Sequence, residues 1–172
     1  MHPGESSLTC AIIAHYCTCC GDTFASEIGM LSKSKPFLIT APWRTVPHGT
    51  NGGVTIWGTL WSGIGGFMIG LGFIFLDKVC SGFDNVQIYY IMVYSTSCGL
   101  FGSCVDSILG ATLQTTYYDE NKKLVYCKKE YASLKARCIS GCDCLSNAQV
   151  NFFSVLVTTL VGGFWLAPKI FN

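Results

Sequence analysis

The stretch VTIWGTLWSGIGGFMIGLGFIFL, residues 54–76, decides the fold. It carries no Asp, Glu, Lys or Arg, and the charge-free run reaches back to Thr45. About 20 predominantly apolar residues cross the hydrocarbon of a bilayer as a helix, since a helix satisfies its own backbone N–H and C=O groups there. Glycines at 58, 63, 65, 66, 70 and 72 mark close helix contact, and Gly66 and Gly70 have the G-x-x-x-G spacing of packed membrane helices.

Outward from this run lie two more of the same kind. Residues 85–118 hold a single charge, Asp106, and residues 149–168 hold none. The predicted spans are 54–76, 86–105 and 151–167, the last ended by Pro168. Residues 8–20 are apolar but too short to cross alone and read as a partial helix. The remaining segments, 21–53 and 118–149, are polar loops. The fold class is therefore all-α: a polytopic transmembrane helix bundle forming a single integral membrane domain.

Composition agrees. Only 12% of the 172 residues are charged and 50% are hydrophobic, where a soluble domain has about 25% charged residues. A net charge of +1, with no basic run interleaved with aromatics, excludes nucleic acid as a partner and leaves the lipid bilayer. The opening MHPGESS lacks the positive stretch of a secretory signal. Lysine and arginine fix the expected orientation. Three lie in the first polar loop and six in the second, against Lys78 and Lys169 elsewhere, so both loops are placed in the cytosol; an intracellular membrane is the separate expectation for its location. The eleven cysteines are odd in number, and the C-x3-C-x-C of Cys138, Cys142 and Cys144 is not a usual zinc spacing. They read as small apolar residues in packed helices and loops.

Four short segments concentrate the polar chemistry. In CGDTFASEIG, Asp22, Ser26 and Gly29 share a helix face, while Glu27 points about 140° away from Asp22. In GLFGSCVDSILGATLQ, Gly99, Ser103, Asp106, Gly110 and Gln114 form one small, polar stripe. A carboxylate near hydrocarbon is costly and is usually retained for ions, protons or substrate, so Asp22 and Asp106 are candidate ligands of a divalent metal; ordinary packing with one hydrogen-bonded Asp is the alternative. In VPHGTNGGVT, Gly49, Gly52 and Gly53 flank Thr50 and Asn51, where positive φ lets successive N–H groups converge on an anion. A plain turn into the following helix is the alternative there, and His48 is a weak base candidate. In LSNAQVNFFS, Asn147, Gln149 and Asn151 stand at the entrance to the last span, with Asn147 or Asn151 the expected helix cap.

Taken together and in this order, the four segments closely resemble the transmembrane protein 19 family, over residues 16–167. That resemblance implies an integral membrane protein with several more N-terminal spans, so that this chain reads as an N-terminally short member. A plant relative in the family is a phytyl-phosphate kinase, which adds a second phosphate to an isoprenoid monophosphate. The implied activity is thus a Mg²⁺-dependent lipid-phosphate kinase using CTP or ATP. Asp22 and Asp106 would hold the metal, with Glu27 beside them as a third acidic candidate. Thr50, Asn51, Gly52 and Gly53 would meet phosphate, and Lys33 and Lys35 would balance nucleotide charge. The competing class is a non-catalytic membrane scaffold, a transporter or an inactive short form. A transporter would be expected to show repeated halves and polar groups at the bilayer midplane, and no internal repeat is present in the sequence.

Overall fold

A computed structural model describes residues 3–80 and 85–166. Four helices dominate it: α1 (Pro3–Met30), α2 (Ile56–Cys80), α3 (Asn85–Leu113) and α4 (Asn147–Leu160), the last running on as a π-helical turn over Val161–Leu166. Among the described residues three segments, Ile56–Leu76, Gln87–Leu113 and Asn147–Leu166, are long and apolar enough to cross a membrane. The helices alternate in direction. The end of α1, the start of α2, the end of α3 and the start of α4 therefore meet at one end, with both polar loops.

Helix α1 extends well beyond the partial helix predicted over residues 8–20. It has 28 residues, about 42 Å of helix, and carries the G-D-T-F-A-S segment with it. Two of its hydroxyls are satisfied inside the helix, Thr23 Oγ1 donating to the Cys19 carbonyl (2.8 Å) and Ser26 Oγ to that of Thr23 (3.0 Å), while Thr18 Oγ1 reaches the Cys98 carbonyl of α3 (3.5 Å). Packing supplies the rest, since α1 touches α2, α3 and α4. Likewise α3 continues to Leu113, well past the predicted end at residue 105.

The distribution of side chains is that of a protein in lipid. Large apolar residues such as Leu60, Phe67, Leu71, Phe75, Val93 and Leu160 face outward, while Thr18, Ser62, Ser95, Ser154 and Thr158 are buried. Between α1 and α3 the core is Cys10, Ile13, Ala14, Cys17, Tyr94 and Cys98, closed by Ile69 and Phe73 of α2. Tyr94 donates its hydroxyl to the Cys10 carbonyl at 2.9 Å. Cys10, Cys17 and Cys98 are thus the small packed residues their setting suggests, whereas Cys19, Cys104, Cys127, Cys138, Cys142 and Cys144 are exposed.

Small residues set how close the helices come. A Cβ on Gly99 of α3 would stand 2.6 Å from the Ser62 carbonyl oxygen and 3.0 Å from Gly66 Cα, both in α2. One on Gly21 of α1 would meet Gly99 Cα at 2.9 Å. Backbones of three helices therefore touch at one level, the arrangement small residues permit in membranes.

The polar loops are not structureless. Residues 31–55 hold a three-stranded antiparallel sheet of β1 (Phe37–Leu38), β2 (Ala41–Thr45) and β3 (Gly53–Val54), in the order β2-β1-β3. Residues 114–146 hold a second, β4 (Thr116–Asp119), β5 (Leu124–Tyr126) and β6 (Arg137–Ser140), in the order β5-β4-β6. Both are too short to leave the alternating pattern that marks a strand in sequence. Asp119 organises the second: its carboxylate accepts from the N–H groups of Asn121 (2.9 Å) and Lys122 (3.2 Å) and from the Ser133 hydroxyl. Chiefly through Ser133, and then through those two N–H groups, its carboxyl is held below the usual carboxylate range.

Two outcomes follow from this packing. Gly99→Val forces α2 and α3 apart and lowers the thermal midpoint of the detergent-solubilised chain, at a cost of about 1–3 kcal/mol. Gly72→Ala, where a Cβ would meet nothing within 4 Å, leaves the midpoint unchanged or slightly raised; an equal loss at both positions would contradict the glycine contact. Because Asp119 is depressed in the fold, its stabilisation is complete above the ordinary carboxylate pKa and is lost as pH falls through the lower folded value. Hydrogen-exchange protection of the Asn121 and Lys122 amides therefore falls under acid conditions. In Asp119→Ala it is already low at neutral pH and no longer responds to acid.

Candidate functional site

At the end of the bundle where the two loops meet, a cavity of about 260 Å³ opens between all four helices. Helix α1 supplies Asp22, Ser26 and Gly29, the face that their spacing of four and three predicts. From α3 come Ser103, Asp106, Ser107 and Gly110, and just beyond its end Gln114. The opening turn and a half of α4 adds Asn147 and Asn151, and the start of α2 adds Gly58 and Thr59. The loop before α2 closes the remaining side with His48 through Thr55. Each of the four segments singled out in the sequence reaches the same space.

Both carboxylates line it. Asp22 lies within electrostatic reach of Asp106 and hydrogen-bonding reach of Ser103. Helix α4 fixes the second carboxylate. Ser154 Oγ lies 3.2 Å from Asp106 Oδ1. The Asn151 amide, oriented to satisfy its neighbours, donates to the same oxygen at 3.2 Å and to the Asn147 carbonyl at 3.0 Å. One carboxylate oxygen is thus held by two donors from a neighbouring helix. Sequence reading missed Ser154, although Asn147, Asn151, Ser154 and Thr158 follow a four-three-four spacing that puts them on one face of the last span.

Glycine geometry in the loop is as the sequence predicts, but the loop is spent differently. Gly49 and Gly52 have φ of +83° and +73°, the left-handed region glycine adopts without penalty. Of the N–H groups expected to converge on an anion, that of Thr50 is taken by the Pro47 carbonyl (3.3 Å) and that of Gly53 by the Thr50 carbonyl (2.9 Å). That of Asn51 is taken by Thr116 Oγ1 (3.1 Å). The Asn51 side chain also donates to the Thr115 carbonyl at 3.0 Å. Two of these donors therefore close turns within the loop and Asn51 docks it on residues 115–116, so a full nest of free N–H groups is not present. Gly52 lies flat on α3, where a Cβ would collide with Ala111. Only Thr55 separates the end of β3 from the start of helix α2, which it caps, its Oγ1 accepting from Gly58 N at 2.9 Å.

Three candidates fall outside the cavity. Glu27 is exposed on the other side of α1, as its angular offset from Asp22 requires, and is not brought to the carboxylate pair. Lys33 and Lys35 are exposed on the segment after α1, and neither lines the space, although Pro36 next to them does. The helix cap also differs from expectation. Ser146 caps α4, in a reciprocal pairing with Gln149, which frees Asn147 and Asn151 to face the cavity. Among the described residues no group of three or more His, Cys, Asp or Glu converges as a metal cluster.

Comparison with known proteins supplies relatives. The family profile described as "Integral membrane protein DUF92" matches residues 2–159. Protein PGR of Arabidopsis thaliana is 38% identical over 159 residues, which cover 91% of this chain and 54% of that protein. An uncharacterized membrane protein of Methanocaldococcus jannaschii is 39% identical over 94 residues, 54% of this chain and 35% of its own length. One from Synechocystis is 33% identical over 115 residues, 67% of this chain and 41% of its own. The chain thus spans about half the length of the plant relative and less of the other two. No solved structure matches.

The docked loop makes a prediction that separates strain from collision. Gly49→Ala meets only Met30 and Val125, at 4.0 Å, so it bears the cost of its left-handed backbone alone, about 1–2 kcal/mol. Gly52→Ala adds the collision with Ala111 and lowers the thermal midpoint further, with loss of hydrogen-exchange protection at the Asn51 amide. Equal effects at the two glycines would show that the loop does not rest on α3.

Proposed function

This chain belongs to the DUF92 family of integral membrane proteins, and from that premise we propose that its cavity binds phosphate groups for nucleotide-dependent phosphoryl transfer to an isoprenoid monophosphate. The observation that carries the reading is the convergence of two carboxylates, Asp22 and Asp106, from two different helices on a cavity whose other lining is mostly hydroxyls, amides and glycines, with His48 at the loop side. Nothing in bundle packing requires two acidic groups to face each other in a protein with so few charges.

The donor set suits Mg²⁺. It is made of oxygen ligands, and Mg²⁺ is commonly held by one or two carboxylates together with water and substrate phosphates. Asp22 and Asp106 would hold it, and when bound it supplies positive charge to the phosphate oxygens. The remaining roles belong to the chain itself. Ser154 and Asn151 keep Asp106 turned toward the cavity, while Ser103, Ser107 and Asn147 offer hydrogen bonds to phosphate oxygens. The acceptor phosphate carries its own anionic oxygen, so no strong base is needed, and positioning does most of the work.

Size and place support the same substrate class. Pockets for whole drug-sized ligands run to about 300–1,000 Å³, so a cavity of about 260 Å³ suits phosphate heads with the nucleoside and prenyl chain lying outside it. It opens at the loop end of the bundle, where a charged nucleotide reaches from water and a prenyl tail from lipid. The lysine and arginine count of the two loops puts that end in the cytosol.

The test is transfer of label from CTP, and separately ATP, to a panel of isoprenyl monophosphates by the purified chain in lipid with Mg²⁺. Asp22→Asn and Asp106→Asn each reduce transfer by more than about 100-fold at an unchanged thermal midpoint. A folded parent chain that transfers nothing to any acceptor, or variants that transfer as well as the parent, would overturn the reading.

A further inference from the structure

The segment that joins β6 to α4 holds a feature the cavity does not use. Cys142 and Cys144 are both exposed, and their sulfurs lie 3.1 Å apart. The backbone accounts for this. The Cys144 N–H donates to the Cys142 carbonyl at 2.9 Å, an i to i+2 bond that folds Asp143 into a γ-turn. In an extended chain side chains two residues apart share a face but stand a full repeat apart; the turn draws the two Cβ atoms together.

The segment is also anchored on both sides. The Cys142 N–H donates to the Thr112 carbonyl (3.1 Å), and those of Cys144 and Leu145 donate to the Leu113 carbonyl (3.1 and 2.9 Å). The Cys142 thiol makes a further contact to Thr112 O at 3.0 Å. This stretch therefore supplies donors to the last carbonyls of α3, which a helix end leaves unmatched. Immediately after it comes Ser146, the cap of α4. The two thiols are held at a fixed junction and do not sit on a free tail.

We propose that Cys142 and Cys144 form a redox-active dithiol, closed to an intramolecular disulfide by a small-molecule disulfide such as glutathione disulfide. A sulfur separation of 3.1 Å favours this over a metal site. Two thiolates at the tetrahedral angle on zinc stand about 3.8 Å apart, and no third His, Cys, Asp or Glu joins them among the described residues.

Cys144 attacks first, because the Cys142 thiol donates its proton to the Thr112 carbonyl at 3.0 Å and is held there in its neutral form, which is not the nucleophile. The Cys144 thiolate bonds to one sulfur of the oxidant. The oxidant's S–S bond breaks, and one thiolate leaves and takes a proton from water. Until this point the Cys142 proton stays with the Thr112 carbonyl. Cys142 loses that proton to water and attacks Cys144 Sγ, and the second thiol leaves. Two protein thiols have lost two protons and two electrons, and one disulfide has become two thiols.

Closure removes the thiol donor at Thr112 and tightens the link between the end of α3, which carries Gly110 and Gln114, and the start of α4, which carries Asn147 and Asn151. The modification therefore acts on two walls of the cavity at once, whatever that cavity binds.

The experiment uses the whole chain in lipid, treated with glutathione disulfide, then with N-ethylmaleimide, and mapped by peptide mass. Cys138, Cys142 and Cys144 fall on one tryptic peptide after Arg137. The expected peptide carries one maleimide, on Cys138, and lacks two hydrogens; dithiothreitol restores three alkylatable thiols. Cys138→Ser still closes, and Cys142→Ser leaves Cys144 carrying glutathione. Three maleimides after oxidant, a stable glutathione adduct on the parent chain, or loss of closure in Cys138→Ser would each overturn the proposal. Thermal midpoints of the serine variants, equal to the parent's, establish that each result comes from folded protein.

Discussion

Backbone-to-backbone contact of α1, α2 and α3 at Gly21, Ser62, Gly66 and Gly99 is the constraint on which the rest of the molecule depends. In lipid, burying a large apolar side chain between helices gains little, because hydrocarbon is as apolar as leucine. Association there comes from close van der Waals contact and hydrogen bonds, and both need small residues. The contact also sets the floor of the cavity. Asp22 directly follows Gly21, and Ser103 stands one turn above Gly99, so the polar groups begin where the backbones part. A bulkier residue at Gly21 or Gly99 would reach the carboxylates through the helix positions without touching either of them.

The same constraint explains why a polar helix belongs in this bundle. Helix α1 carries Asp22, Thr23 and Ser26 through a length that would otherwise cross hydrocarbon. Its hydroxyls return to their own helix, and Asp22 faces Asp106 and Ser103 of α3. Asp106 in turn rests on Ser154 and Asn151. Asp22, Ser103, Asp106, Asn151 and Ser154 thus form one chain of contacts across three helices, so these pieces hold their positions as a set.

Much of this was legible in the sequence, and the reasons for the rest are physical. The three apolar runs are unmistakable because hydrocarbon tolerates almost no charge. The grouping of Asp22, Ser26 and Gly29, and of Ser103, Asp106 and Gly110, follows from helical periodicity alone. Helix α1 was harder: a helix shielded by others need not be apolar, so hydropathy ended it near Cys20 when its hydrogen bonds carry it to Met30. The six short strands were hidden, since two to five residues cannot display a period. The loop at Gly49–Gly53 was read for what glycine allows, and its N–H groups are instead committed to Pro47, Thr50 and Thr116. That outcome depends on a segment more than sixty positions away, which local reading cannot see. For Lys33 and Lys35 charge was evident and direction was not.

The alternating direction of the four helices has an electrostatic consequence. Each helix ends in a partial charge of about half a unit, positive where it starts and negative where it stops. Two starts, of α2 and α4, and two stops, of α1 and α3, surround the cavity, so the macrodipoles offset one another and the backbone gives the space no strong sign of its own. Its sign is left to Asp22 and Asp106, which when ionised make it an unwelcoming place for a bare anion and an attractive one for a cation. An anion and a cation that entered together would each relieve the cost of the other, and by linkage each would raise the other's affinity by the same factor. On the proposed function, the fold would thereby make simultaneous occupancy cooperative without any moving part.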